Sequence, residues 1–386
     1  MTFGKRVTPP QPAPVVPIPH ALAKDSPGNA SELVAIVVDF VNHLFSAGLY
    51  RADEVPHRLI QLYHADFYIA QVLNGGHSQF VHNCGTRRQA ILANAMAGLS
   101  AMGAPHHAAL LGELGLWIAA NPDQADAQTG FSGGRDGALD ALDKRFEEAE
   151  RLRPATDQAA AWIKAWPDIR YLDPAGFEAT WEQGALSNPR RALRLSKARI
   201  EAFRQSLSDP LLLALGLAAD AADETLIDPG TTEVIDIGGR REEVRLVQTS
   251  FGLRGAACAG GGVRLYALQL GGRDVTWTAV SLIGIAERTN VDAITAFVRH
   301  EPVAAAADLL LRRARPAATH CAIQPAAMAD GIPHPIFRIS IADDMLMLTK
   351  AGSGYVLAGR APGDTHGPVS FAQIAVHERE IDGHAG

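Results

Sequence analysis

Cysteine is scarce in this chain. Its 386 residues include only Cys84, Cys258 and Cys321, odd in number and far apart. That argues against a disulfide framework and for a reducing compartment. Long apolar runs are also missing: the longest, residues 211–219, is about half of what a membrane span requires. Nor is there an excess of basic charge. The formal net charge is −7, so the composition lacks the dense positive charge on which general nucleic-acid binding by counterion release depends. Catalytic and cofactor signatures are absent as well. Ala259-Gly260-Gly261-Gly262 lacks the Gly-Lys-Ser/Thr ending of a phosphate loop and precedes an expected strand rather than a helix. His77, His82 and Cys84, with His106-His107 one helix later, match no established zinc spacing. His320-Cys321 places a base beside a thiol, but adjacent residues seldom point the right way for nucleophilic catalysis. The expectation is no catalytic residue, no metal and no cofactor.

The composition is that of an ordinary soluble globular protein, with 47% apolar and 20% charged residues, and the length suggests two domains. Prolines 9, 10, 12, 14, 17 and 19 interrupt every apolar run near the start, so no signal-peptide core forms. Residues 1–28 read as an extended, disordered tail and the protein as cytoplasmic. Residues 29–180 read as a helical domain. Asn29-Ala30-Ser31-Glu32 has the form of a capping box that opens a helix to about residue 45. Asp53 then caps a helix to residue 74, and further helices follow over about 86–102, 105–120 and 135–152. Residues 181–228 read as a helical linker or extension. From Thr231 the pattern alternates, giving hairpins around Gly238-Gly239 and Gly271-Gly272, a helical stretch broken near Pro302, and three antiparallel strands within 336–358. The fold class is therefore a mostly α N-terminal helical domain plus an α+β C-terminal domain, residues 229–386, with a mainly antiparallel sheet.

The most distinctive stretch is Asn74-Gly75-Gly76, followed by Gln79, Phe80 and Asn83. The two glycines permit a tight reversal between helices. The amides can satisfy open groups at helix ends, and Phe80 can anchor the turn in the core. This Asn-Gly-Gly-x-x-Gln-Phe-x-x-Asn pattern resembles the signature of a bacterial domain-of-unknown-function family, over about residues 30–170. That family is best known from a small acidic DNA-mimic protein that binds a transcription regulator. The resemblance implies a helical domain with a protein partner, and a structural role for the six motif residues.

A second pattern concerns charge. Asp136, Asp140, Asp143, Glu147 and Glu150 fall on one face of the expected helix, and Leu139, Leu142, Phe146 and Ala149 on another. Carboxylates so spaced recur every ~4.5–6 Å along the axis, a sparse imitation of phosphates ~3.4 Å apart along a DNA strand. Lys144 and Arg151, four residues after Asp140 and Glu147, offset part of that field. Residues 31–170 carry 16 acids against 11 bases, a milder balance than that of a strongly acidic mimic. Arg190, Arg191, Arg194 and Lys197 form a basic side on a later helix.

The leading reading is a non-enzymatic protein-binding module whose five carboxylates engage a DNA-binding regulator, with no direct contact to nucleic acid or membrane. An immunity-like protein neutralising a toxin or nuclease is an alternative within the same class. An enzyme or small-ligand protein built on the C-terminal sheet is the other. It would gather Arg264, Tyr266, His334 or Arg338 in one pocket.

Overall fold

The structure, a computed structural model, describes residues 15–383 except 25, 27, 131–134, 272–275, 327–334 and 343. The chain divides into two compact units, Met1–Arg191 and Ala192–Gly386. No helix among the described residues is long and apolar enough to cross a membrane.

The first unit is a helical body with one small sheet. Strand β1 (Val16–Pro19) pairs in parallel with β2 (Ile169–Leu172). Residues 16–23, expected as part of a disordered tail, are thus a strand and a following 3-10 turn, with Val16, Ile18 and Leu22 buried. Pro17 and Pro19 fit because a two-stranded ribbon leaves each strand one open edge, where a missing N–H goes unnoticed. Residues 1–14 lie outside the described residues.

Helix α1 (Asn29–Ser46) buries Leu33, Val34, Val37, Phe40, Val41 and Leu44, a helical-period stripe. Its N-cap is Gly28 rather than a capping-box residue. Helix α2 (His57–Cys84) starts after Pro56, not at Asp53, which lies in a preceding 3-10 turn. Helices α3 (Arg88–Ala101), α4 (Pro105–Ala120) and the short α5 (Pro122–Asp126) follow, the last two with proline at the first position. Helix α6 (Gly137–Leu152) buries Leu139, Leu142, Phe146 and Ala149. Helices α7 (Ala155–Lys164) and α8 (Pro174–Leu186) complete the unit, α8 being capped by the Asp173 side chain on Gly176 N–H.

The second unit begins with helices α9 (Arg191–Ser208) and α10 (Pro210–Ala221). The sequence reads this stretch as a helical linker or extension. Ile200, Phe203, Leu207 and the wholly apolar stretch from Leu213 to Ala219 instead join the core of this unit. The longest apolar run of the sequence is therefore a buried helix. Strands β3 (Leu226–Ile237), β4 (Arg240–Thr249), β5 (Gly252–Ala259), β6 (Gly262–Gly271) and β7 (Thr276–Ala286) form a meander that closes into a barrel. Neighbours alternate in direction. With five strands the first and last run the same way, so the seam between β3 and β7 is parallel.

Helices α11 (Arg288–His300) and α12 (Val303–Ala314) flank the break at Pro302. A separate antiparallel sheet follows: β8 (Ala322–Pro325), β9 (Phe337–Ile341), β10 (Asp344–Ala351), β11 (Gly354–Ala358) and β12 (Thr365–Ser370), ordered β12-β11-β10-β9-β8. Helix α13 (Phe371–Gly383) ends the described chain. A fully buried carboxylate ties this unit together. Asp308 on α12 accepts from Arg199 Nε on α9 at 2.6 Å and from His377 Nε2 on α13 at 2.7 Å.

Candidate functional site

The Asn-Gly-Gly motif is a break inside α2. Gly76 has φ 77° and ψ −177°, a backbone region that L side chains rarely adopt. Gly75 has a negative φ of −150°, and space is what requires glycine there. A Cβ on Gly75 would stand 2.0 Å from Gln79 Oε1, and one on Gly76 would stand 2.2 Å from Asp143 Oδ2.

Around the break the motif amides hold the two helical segments together. Gln79 Nε2 and Asn83 Nδ2 both donate to Gln71 Oε1, at 2.8 and 2.5 Å. Phe80 is fully buried, its ring 5.0 Å from Tyr68 in an edge contact. Five of the six motif residues thus act within the fold. Asn74 is exposed and its side chain makes no hydrogen bond among the described residues.

A helix that restarts after a break leaves N–H groups without partners. Asp143 of α6 meets this need. Its Oδ1 accepts from the backbone N–H of His77 at 2.7 Å and from the His77 ring Nδ1–H at 2.6 Å. The other ring nitrogen, Nε2, lies 2.9 Å from the Tyr68 hydroxyl. With the proton on Nδ1, neutral His77 accepts there from Tyr68. Burial raises the Asp143 carboxyl pKa. The His77 hydrogen bonds and the Arg135 charge outweigh it and hold the group below its ordinary 3.8.

Glu150, two turns along, repeats the arrangement. Its Oε1 accepts from Ala155 N–H at the start of α7 at 2.9 Å and lies 2.7 Å from His107 Nε2, off the direction of a ring N–H bond. The buried His77 and His107 rings both meet Phe146 edge-on, at 6.0 and 5.1 Å between centroids.

The five carboxylates expected on one face thus divide. Asp143 and Glu150 each keep 16% of their side-chain surface and face the fold. Asp136 caps α6 through Ala138 N–H at 2.8 Å. Asp140 and Glu147 are exposed. A helix turns ~100° per residue, so three residues leave ~60° between the row 140/147 and the row 143/150, enough to separate outward from inward. Arg135 bridges the two rows, with Nη2 2.7 Å from Asp143 Oδ2 and Nε 3.3 Å from Asp140 Oδ1.

The motif and α6 meet at one cleft of about 500 Å³. Leu73, Asn74, Gly75 and Gly76 line one side, and Arg135, Asp140, Asp143, Lys144 and Glu147 the other. Two features that are 60 residues apart in the chain share this surface. The sequence shows His77 and His107 only within a scatter of possible metal ligands and does not mark Arg135, because their partners are set by tertiary contact.

The remaining expected groups are dispersed. His82 Nδ1 bonds Gln128 O at 2.8 Å, and burial pushes the Cys84 thiol up to about 12. Among the described residues no three metal-ligating groups come together. Arg190 pairs with Glu54 at 2.9 Å and Arg191 Nε donates to Ala47 O at 2.7 Å, while Lys197 is exposed, so the expected basic side is not one free patch. Burial also raises the Cys321 thiol. Arg264 and Tyr266 lie on the barrel strand β6 and Arg338 on β9 of the separate sheet, where it donates to Glu224 O at 2.8 Å. Arg338 is thus on a different sheet from Arg264 and Tyr266, and His334 lies outside the described residues.

The Asp143 geometry has a pH consequence. A carboxyl held below its unfolded value stabilises the fold above that unfolded value, and the contribution is lost as pH falls through the folded one. In denaturant melts of the full chain, wild type should exceed Asp143→Asn by a constant margin from pH 7 to about 5, and the margin should shrink below about pH 4.

The whole chain matches no curated protein and no solved structure. Residues 53–166 do match a family model, described as DMP19-like protein. That span contains the helix break, the cleft, both buried histidines and all five carboxylates of α6, and it is a DMP19-like domain carried within the first unit.

Proposed function

We propose that the DMP19-like domain is a non-enzymatic protein-binding module, and that it engages a DNA-binding regulator at the cleft between the Asn-Gly-Gly break and α6. The observation that carries this reading is the division of the α6 carboxylates. Asp143 and Glu150 are committed to the fold, while Asp140 and Glu147 stand outward beside an open cleft and an unbonded Asn74 amide. Seven residues along a helix is ~10.5 Å, about three phosphate steps of a DNA strand. Two charges at that spacing suit two cationic side chains that would otherwise hold phosphates of one strand. They are fewer than the five expected from sequence. Specificity then rests on the cleft walls, where Leu73 is 59% exposed, more than on a continuous charge row.

A photo-crosslinking residue at position 73 of the full chain tests this. Irradiation in a lysate of the source organism should capture a basic DNA-binding protein, less so as salt rises. The same probe at Leu186, which is equally exposed but outside the cleft, should not. Identical adducts from both positions would remove the cleft from the account.

A further inference from the structure

The cleft already holds a ligand-like group from its own chain. Arg135 precedes α6, and its guanidinium lies between Asp140 and Asp143 against the backbone of Gly76. The site that receives it is built. Asp143 Oδ1 is fixed by two hydrogen bonds from His77, which leaves Oδ2 directed at Arg135 Nη2. A Cβ on residue 76 would come within 2.5 Å of that same Nη2, so the space exists only because residue 76 has no side chain.

We infer that Asp140, Asp143 and the bare backbone at Gly76 form a guanidinium-binding site, which Arg135 fills in the free protein and an arginine of the partner takes on binding. This deepens the partner-binding reading above and rests on it. Arginine fits where lysine does not. One planar group reaches Asp140 through Nε and Asp143 through Nη2 at once, which a single ammonium on a flexible stem matches poorly. Exchange is balanced, since the incoming guanidinium replaces the contacts that the outgoing one gives up. The outgoing Arg135 side chain is already 37% exposed and can be solvated. Arg135 is then an internal competitor that lowers the apparent affinity for the partner by the fraction of time the site is open.

The test is an NMR titration of the isotope-labelled full chain with capped Gly-Arg-Gly and Gly-Lys-Gly peptides, following the Gly75 and Gly76 amides. Wild type should bind the arginine peptide weakly. Arg135→Ala and Arg135→Gln should bind it about tenfold more tightly, as for a site previously open about one-tenth of the time. The lysine peptide should gain little, and adding Asp140→Asn should abolish the gain. Arg135→Lys should fall between wild type and Arg135→Ala. Equal affinity in wild type and both Arg135 variants, or equal gains for the two peptides, would overturn the inference. Failure here with salt-sensitive capture at position 73 intact would leave the partner-binding reading standing. Peptide binding without such capture would remove that reading and keep the site.

Discussion

Replacing Gly76 by alanine should destabilise the first unit by about 2–6 kcal/mol. The expectation sums ~1–3 kcal/mol for a side chain in a glycine-only backbone region and a similar amount for overpacking a filled space. The local geometry makes both apply. φ is 77° with ψ −177°, and the new Cβ would stand 2.2 Å from Asp143 Oδ2. Asp143 cannot swing away without giving up the His77 N–H at the start of the second segment of α2. Gly103, with φ 74° and nothing within 4 Å of a Cβ, is the control: alanine there carries the strain alone, about 1 kcal/mol. Denaturant unfolding followed in the first unit's own transition measures the difference. Equal losses at 76 and 103 would mean that the carboxylate is not held against Gly76. The same substitution should spoil the cleft, because Asp143 and Arg135 are the groups displaced.

The second large effect is in the other unit. Asp308→Ala should cost about 3–5 kcal/mol, the usual consequence of removing one partner from a buried ion pair. Arg199 and His377, both nearly inaccessible, would lose the carboxylate that joins α9, α12 and α13. Arg199 keeps the carbonyl of Ala318, at 2.9 Å. Replacing both members of the pair, Arg199→Met with Asp308→Leu, should recover much of the loss, because a well-packed apolar pair substitutes for a buried ionic one at little net cost. Burial raises the Asp308 carboxyl pKa, yet His377 and Arg199 bring it below its ordinary value. Its contribution should therefore persist down to the ordinary carboxylate range and fall away below it. Urea melts of the single and double variants decide this. A single-variant loss under about 1 kcal/mol would contradict the role given to Asp308.

Much of this fold was legible in the sequence. The amphipathic period of α6, the helix over about 105–120 and the Gly238-Gly239 hairpin are local, and local chemistry determines them. The structure adds what distance in the chain hides. β1 pairs with β2 about 150 residues later through a proline-containing strand, which reads locally as a tail. β5 is rich in alanine and glycine and carries no strong strand signal, although its pairing with β4 and β6 is required to close the barrel. The acidic face is legible as a set of residues, and helical spacing splits it into two rows ~60° apart, but the partners that hold one row are not legible. Asp143 and Glu150 turn inward because His77 and His107 wait there, and those pairings span 66 and 43 residues. The motif glycines read correctly as a reversal. That Gly76 also clears room for Asp143 and Arg135 depends on α6 packing against the break.

The central claim is that Asp140 and Glu147 are the charges a partner meets. The most direct measurement is a pull-down from a lysate of the source organism with the full chain as bait, at low and moderate salt, beside Asp140→Asn/Glu147→Gln. Both substitutions are on exposed side chains and should leave stability within about 0.5 kcal/mol. The account predicts that the natural bait retains a basic DNA-binding protein at low salt, releases it as salt rises, and loses it in the double variant. Retention of the same proteins by both baits at both salt concentrations would contradict it, and would mark Asp140 and Glu147 as an ordinary solvated face.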